Sequence, residues 1–171
     1  MEKDFRSALF LLAAVAFAAS FAIHVATYFD VVVTNRWPLA WGVHILVFFL
    51  FAYCVMDAKA RTGTKGKTPL FTAFGPSAQS LAELAAGVLL FYTLVVFAID
   101  FFEPSEGELK RVDGRPVLSE KGKVAKELTE REYIHLEATQ ARSFSAIVLF
   151  FSGASALELF SLVMLKTEKR V

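Results

Sequence analysis

Cysteine is nearly absent: of 171 residues only Cys54 carries a thiol. That excludes an intramolecular disulfide and any metal site built on paired cysteines. Set inside an apolar run, Cys54 reads as a small core residue rather than a reactive thiol. Charge of one sign is also missing. Eighteen Lys and Arg stand against seventeen Asp and Glu, for a formal net charge of +1, so the basic stripe expected of a nucleic-acid binder is not there. There is no glycine-rich phosphate loop, no metal-spaced Cys/His cluster, no nucleophile–base motif, no internal repeat and no low-complexity tract. Nothing in the pattern marks an enzyme.

What is present is apolar length. Hydrophobic residues make up 56% of the chain and aromatics 14%, with eighteen Phe, above the level of an ordinary soluble domain. They gather in four runs of about twenty residues, the length that crosses a hydrocarbon core roughly 30 Å thick. The pattern predicts an all-α membrane protein: one four-transmembrane-helix bundle with spans near 8–33, 39–56, 81–102 and 144–165. An extramembrane insert, 103–143, is predicted to hold a small β-hairpin and a helix between spans three and four. The acidic n-region and the length of the first run favour a retained span over a cleaved signal peptide.

In span one Ala14, Ala18, Ala22 and Ala26 recur every fourth residue, a small-residue ridge that lets another helix come close. A second face carries Ala13, Phe17, Ser20, His24 and Thr27. Span two follows Trp37 and Trp41, an expected interfacial belt, and places His44 above Phe48, Phe51 and Val55. The loop 57–79 is basic at first, with Lys59, Arg61, Lys65 and Lys67. It then becomes apolar but proline-broken, a piece expected in the interface or packed on the bundle. Ser80 and Glu83 form a capping box expected to open span three. There Glu83, Ala86, Leu90, Thr93, Phe97 and Asp100 share a face that should point inward. In the insert, Arg115–Ser119 and Lys123–Leu128 are expected to pair through Glu120-Lys121-Gly122. Thr129 and Glu132 cap a helix predicted to run unbroken into span four, whose polar face carries Ser145, Ser152, Ser155 and Glu158.

His24 and His44 are the leading site candidates, because an imidazole in a membrane-length segment must find its partner within protein. Counted from the first connection, they fall within roughly 6 Å of one another in depth. Two readings follow. As a pair they could ligate haem b or a transition metal, giving a small electron-transfer protein. Singly, each would bond a backbone carbonyl or a hydroxyl. Glu158 lies at a different depth, which weakens a three-ligand site and suggests a bond to a serine or a proton relay. His135 reads as a solvated surface residue.

Lys and Arg are evenly split between the two sides of the four spans. The short, purely basic 59–67 loop therefore decides, placing both termini in the cytoplasm. The stretches Val117-Leu118-Ser119-Glu120-Lys121-Gly122-Lys123-Val124, Glu127-Leu128-Thr129-Glu130-Arg131-Glu132-Tyr133 and Arg142-Ser143-Phe144-Ser145 carry a resemblance, together with Ile23-His24-Val25 and Val43-His44-Ile45. They resemble small bacterial four-span membrane proteins of unassigned function. That resemblance covers about half the chain; it implies a bacterial inner membrane and no activity. The expected role is a non-catalytic accessory subunit or interaction module. Its partners would be the lipid bilayer and other membrane chains or a second copy, with no nucleic acid.

Overall fold

The computed structural model describes residues 2–32, 38–62, 70, 71, 74, 76–102 and 107–168. Four helices and one small sheet follow in order: α1 (Glu2–Thr27), α2 (Pro38–Thr62), α3 (Pro76–Phe102), β1 (Glu108–Val112), β2 (Arg115–Glu120), β3 (Lys123–Glu127) and α4 (Glu130–Glu168). All four helices are long and apolar enough to cross a membrane.

The first helix stops sooner than its apolar run does. At Thr27 the chain turns into a Schellman motif: the Val31 N–H reaches the Ala26 carbonyl (3.1 Å) and the Asp30 N–H reaches that of Thr27 (3.3 Å). Asp30 takes the left-handed conformation, φ 55°, that this motif needs. The span predicted to reach residue 33 therefore ends at Thr27, and α1 begins at Glu2 instead. The Ser80–Glu83 box does not open α3 either. Proline at the first helical position starts that helix at Pro76, and Glu83 is exposed, accepting a hydrogen bond from Gln79 (2.8 Å).

The insert holds three antiparallel strands in the order β1-β2-β3 rather than a two-stranded hairpin. Both turns are two-residue and left-handed, Asp113-Gly114 (φ 50° and 80°) and Lys121-Gly122 (φ 49° and 80°), the geometry that matches strand twist. One sheet face is tied to the first turns of α4. Arg111 forks onto the Glu130 carboxylate (3.1 and 2.5 Å) and lies over the Tyr133 ring (4.7 Å), while Lys126 pairs with Glu132 (2.9 Å). The Thr129–Glu132 capping box closes in both directions: Thr129 N–H to the carboxylate (2.8 Å), Glu132 N–H to the hydroxyl (3.2 Å). At 39 residues, α4 is about 58 Å long. It continues without a break from the sheet and is more than long enough to cross a bilayer, for which about twenty residues suffice.

The fourth helix is the hub. It packs on α1, α2 and α3, whereas among the described residues no close backbone approach joins α3 to α1 or α2. Small residues make this possible: a Cβ added at Gly153 would lie 2.7 Å from Leu89 Cδ1 and 3.2 Å from Phe17 Cε2. Leu89 of α3 and Phe17 of α1 thus meet over one glycine of α4. On α1 the buried positions are Ala13, Ala16, Ser20, His24 and Thr27. Ala18 and Ala22 are exposed and Ala14 and Ala26 half-buried. The middle of the alanine ridge, Ala18 and Ala22, therefore faces out of the bundle. On α3 the inward face is Ala82, Thr93 and Val96, while Leu90 and Phe97 are exposed. Of the face expected to point inward, Ala86 and Thr93 do so while Glu83, Leu90 and Phe97 do not; the Asp100 side chain lies outside the described residues.

Candidate functional site

Two buried polar groups occupy opposite ends of the bundle. The first is built on His24, one turn before the end of α1 and only 2% exposed. Its Nδ1 lies 2.8 Å from Ser145 Oγ of α4, and its Nε2 lies 2.6 Å from Tyr92 Oη of α3. Tyr92 Oη is in turn 2.8 Å from Tyr28 Oη. The direction of every bond in this chain follows from one fixed point. Ser145 Oγ is 2.9 Å from the Arg142 carbonyl, which can only accept, so the serine proton is committed there. His24 must then donate from Nδ1–H to Ser145, which leaves Nε2 as an acceptor. Tyr92 O–H donates to Nε2, and Tyr28 O–H donates to Tyr92. Arg142 completes the corner: its guanidinium lies over the Tyr28 ring (4.5 Å) and donates to the Thr27 carbonyl at the end of α1 (3.3 Å).

His44, also 2% exposed, packs against Phe144, the residue before Ser145, with ring centroids 5.0 Å apart and the rings tilted by 53°. The two histidines therefore meet the same turn of α4 from different helices. A metal ligand needs a ring lone pair, and the one His24 offers in this tautomer is held by Tyr92. As placed, His24 is engaged as a hydrogen-bonded residue rather than an open axial ligand. Among the described residues no group of three or more His, Cys, Asp or Glu side chains is arranged to hold a metal ion. His135 is not simply solvated: its Nδ1 lies 2.9 Å from Asp30 just beyond α1.

At the opposite end Glu158 is fully buried. One oxygen accepts from Arg61 Nη2 and the other from the backbone N–H of Phe71 (2.5 Å). Arg61 Nε also donates to Asp57 (2.8 Å), one turn earlier on α2, and Asp57 receives Arg6 of α1 at 3.4 Å. Two arginines and two carboxylates thus join α1, α2 and α4, and Glu158 anchors the apolar piece of the loop before α3. Phe71 sits there in the left-handed region (φ 67°), 4% exposed, packed with Ala82 and Ala154. Lys65 and Lys67 lie outside the described residues. The partner expected for Glu158, a serine, is replaced by an arginine. The serines bond back to their own helices: Ser155 to the Phe151 carbonyl (2.7 Å), Ser152 to that of Leu149 (3.1 Å) and, on α1, Ser20 to that of Ala16 (2.7 Å). Cys54 is buried, its thiol 3.9 Å from the Ser155 carbonyl.

Tyr28, Tyr92, Asp57 and Arg142 were not singled out from sequence. The available signal was spacing: Tyr28 follows His24 by four, and Arg61 follows Asp57 by four, each pair on one helix face. Tyr92 carried no such mark. No protein-family model, curated protein or solved structure matches this chain.

Proposed function

We propose that this chain is a non-catalytic integral membrane module, an accessory subunit or interaction partner that associates with other transmembrane helices. They would dock on the small-residue ridge of α1, Ala14, Ala18, Ala22 and Ala26, whose middle two residues stand outside the bundle. The observation that carries the reading is the contrast between the two faces of α1. The polar face spends Ser20, His24 and Thr27 on bonds inside the chain, while Ala18 and Ala22 stay uncovered. In a bilayer, helices associate where small residues let backbones approach. The His24 and Glu158 groups are hydrogen-bonded internally, which suits polar ties that fix helix positions better than a substrate site. The setting is a bacterial inner membrane, with Arg6, Lys59 and Arg61 marking the cytoplasmic end that holds both termini.

Energy transfer between labelled copies in bilayers, together with recovery of co-purifying membrane chains, tests this reading. Ala22→Leu should abolish association while leaving the thermal midpoint of the isolated chain unchanged, because Ala22 lies outside the bundle. Association untouched by Ala22→Leu and Ala18→Leu, or none at all in the unaltered chain, overturns it. The electron-transfer alternative requires Tyr92 to release Nε2. Stoichiometric haem or transition metal in an absorption spectrum and elemental analysis of the purified chain would establish it.

A further inference from the structure

The chain Tyr28–Tyr92–His24–Ser145 has one end in the open and one end closed. Tyr28 is 50% exposed, whereas His24 is sealed between α1, α3 and α4. We propose that His24 is a reversible proton-binding site, loaded from the aqueous phase on the sheet side through the hydroxyls of Tyr28 and Tyr92.

The geometry supplies both states of such a site without moving a heavy atom. With His24 neutral, Tyr28 O–H points to Tyr92 Oη (2.8 Å) and Tyr92 O–H to Nε2 (2.6 Å). A proton from hydronium adds to Tyr28 Oη as the proton Tyr28 held passes to Tyr92 Oη. The one Tyr92 held passes to Nε2. One N–H bond forms, each phenol ends with one O–H bond as it began, a water is released and no electron moves. Nε2–H now donates to Tyr92, Tyr92 donates to Tyr28, and the Tyr28 hydroxyl turns outward. Every donor and acceptor keeps a partner, the condition for burying an added charge at tolerable cost. On the other side nothing passes on. Nδ1–H still donates to Ser145 (2.8 Å), and Ser145 still donates to the Arg142 carbonyl (2.9 Å), which ends the chain. This is a site that stores a proton, not a wire across the membrane.

The charges around it bear on the occupied state in both directions. His24 stands in the last turn of α1, where the helix dipole favours a cation. From α4, the Arg142 guanidinium on the Tyr28 ring opposes a second positive charge, and the His135–Asp30 pair lies beyond Tyr28. From α3 the facing titratable group among the described residues is Tyr92, and from α2 His44 packs against the neighbouring Phe144. Since among the described residues α3 has no close backbone approach to α1, the Tyr92 bonds to His24 and to Tyr28, just beyond α1, are a polar tie between those helices. Proton uptake therefore acts on that junction.

The test is nitrogen NMR of the full chain, labelled with 15N-histidine in lipid nanodiscs and titrated from about pH 8 to about pH 5, the range in which histidine changes charge. His24→Gln assigns the signal. The expected result is an Nδ1–H neutral tautomer at high pH that converts to the doubly protonated ring as pH falls. Tyr92→Phe removes the acceptor of the charged form, so half-protonation should need about tenfold more protons. Tyr28→Phe removes the hydroxyl that accepts the Tyr92 proton in the charged state and should weaken uptake to a smaller degree. Tyr28 is half exposed, so this variant keeps its fold and carries the test alone should Tyr92→Phe not assemble. Three results each overturn the proposal: an Nε2–H neutral tautomer, a ring that stays neutral throughout, or titration in the tyrosine variants identical to the unaltered chain.

Discussion

Removing the Glu158 carboxylate separates two contributions that the structure places on one side chain. Its oxygens serve Arg61 Nη2 and the Phe71 N–H. In Glu158→Ala both partners lose their acceptor, but they are not equally stranded. Arg61 keeps its 2.8 Å bond to Asp57 and is 24% exposed, so water and Asp57 take over most of its needs. The loss of a buried partner, about 3–5 kcal/mol where a charge is left wholly uncompensated, is therefore reduced here. The Phe71 N–H has no such escape, being on a buried residue held in the left-handed region. An unsatisfied buried N–H costs about 1–3 kcal/mol. Together these place Glu158→Ala at about 2–4 kcal/mol. Glu158→Gln retains a carbonyl oxygen for Phe71 but puts an NH2 donor where Arg61 had its acceptor, so it loses the charge and the Arg61 bond alone and should cost about half as much.

Chemical unfolding of the detergent-solubilised chain measures the two values, and amide exchange at Phe71 locates the loss. Exchange at Phe71 should rise strongly in Glu158→Ala and little in Glu158→Gln. Equal cost for both variants, or exchange at Phe71 unchanged in Glu158→Ala, would refute the claim that the carboxylate holds this piece of loop to α4.

Gly153→Val should destabilise the bundle by about 1–3 kcal/mol, because its Cβ would meet Leu89 at 2.7 Å and Phe17 at 3.2 Å. Thermal unfolding checks this, and an unchanged midpoint would mean that α1 and α3 do not converge over that residue. For orientation, cysteines placed at Glu120 and Lys59 should label differently in intact cells. An impermeant reagent should reach position 120 and leave position 59 untouched; the reverse pattern would invert the bundle.

The helices were legible because each span must satisfy its own backbone in lipid, which forces length and apolarity into the sequence together. The sheet was half legible. Lys121-Gly122 announced one turn, but Asp113-Gly114 is an equally strong signal, and β1 went unrecognised because Glu108-Leu109-Lys110-Arg111-Val112 is mostly charged. A strand whose one face pairs with Glu130 and whose other face meets water has no reason to be apolar. The end of α1 was hidden for the opposite reason. Val31 and Val32 prolong the apolar run, and only Asp30, by accepting a left-handed backbone, stops the helix. The face of α3 expected to point inward holds at Ala86 and Thr93 and misses at Glu83, Leu90 and Phe97, because it was drawn through the two carboxylates. Glu83 lies two turns inside α3, exposed and bonded to Gln79, so it places no constraint on which face turns inward.

The two stripes of α1 show what pattern can and cannot decide. Both have helical spacing, and both are compatible with a neighbouring helix. Alanines at every fourth residue permit close approach, but in lipid they lose little if no helix comes. The stripe of Ser20, His24 and Thr27 is different because of His24: Ser20 and Thr27 bond back to their own helix, but a polar ring left without a partner in hydrocarbon costs several kcal/mol. When one chain has a single hub helix to offer, the stripe that requires a partner takes it and the stripe that merely allows one is left outside. Burial of Ser20, His24 and Thr27 at 1–2% exposure against an uncovered Ala18 and Ala22 is that outcome. The same ranking applies to α2, where His44 is buried while Ile45 and Phe49 on other faces are exposed. In α1 and α2 the buried histidine marks the face that turns inward, and the apolar residues follow.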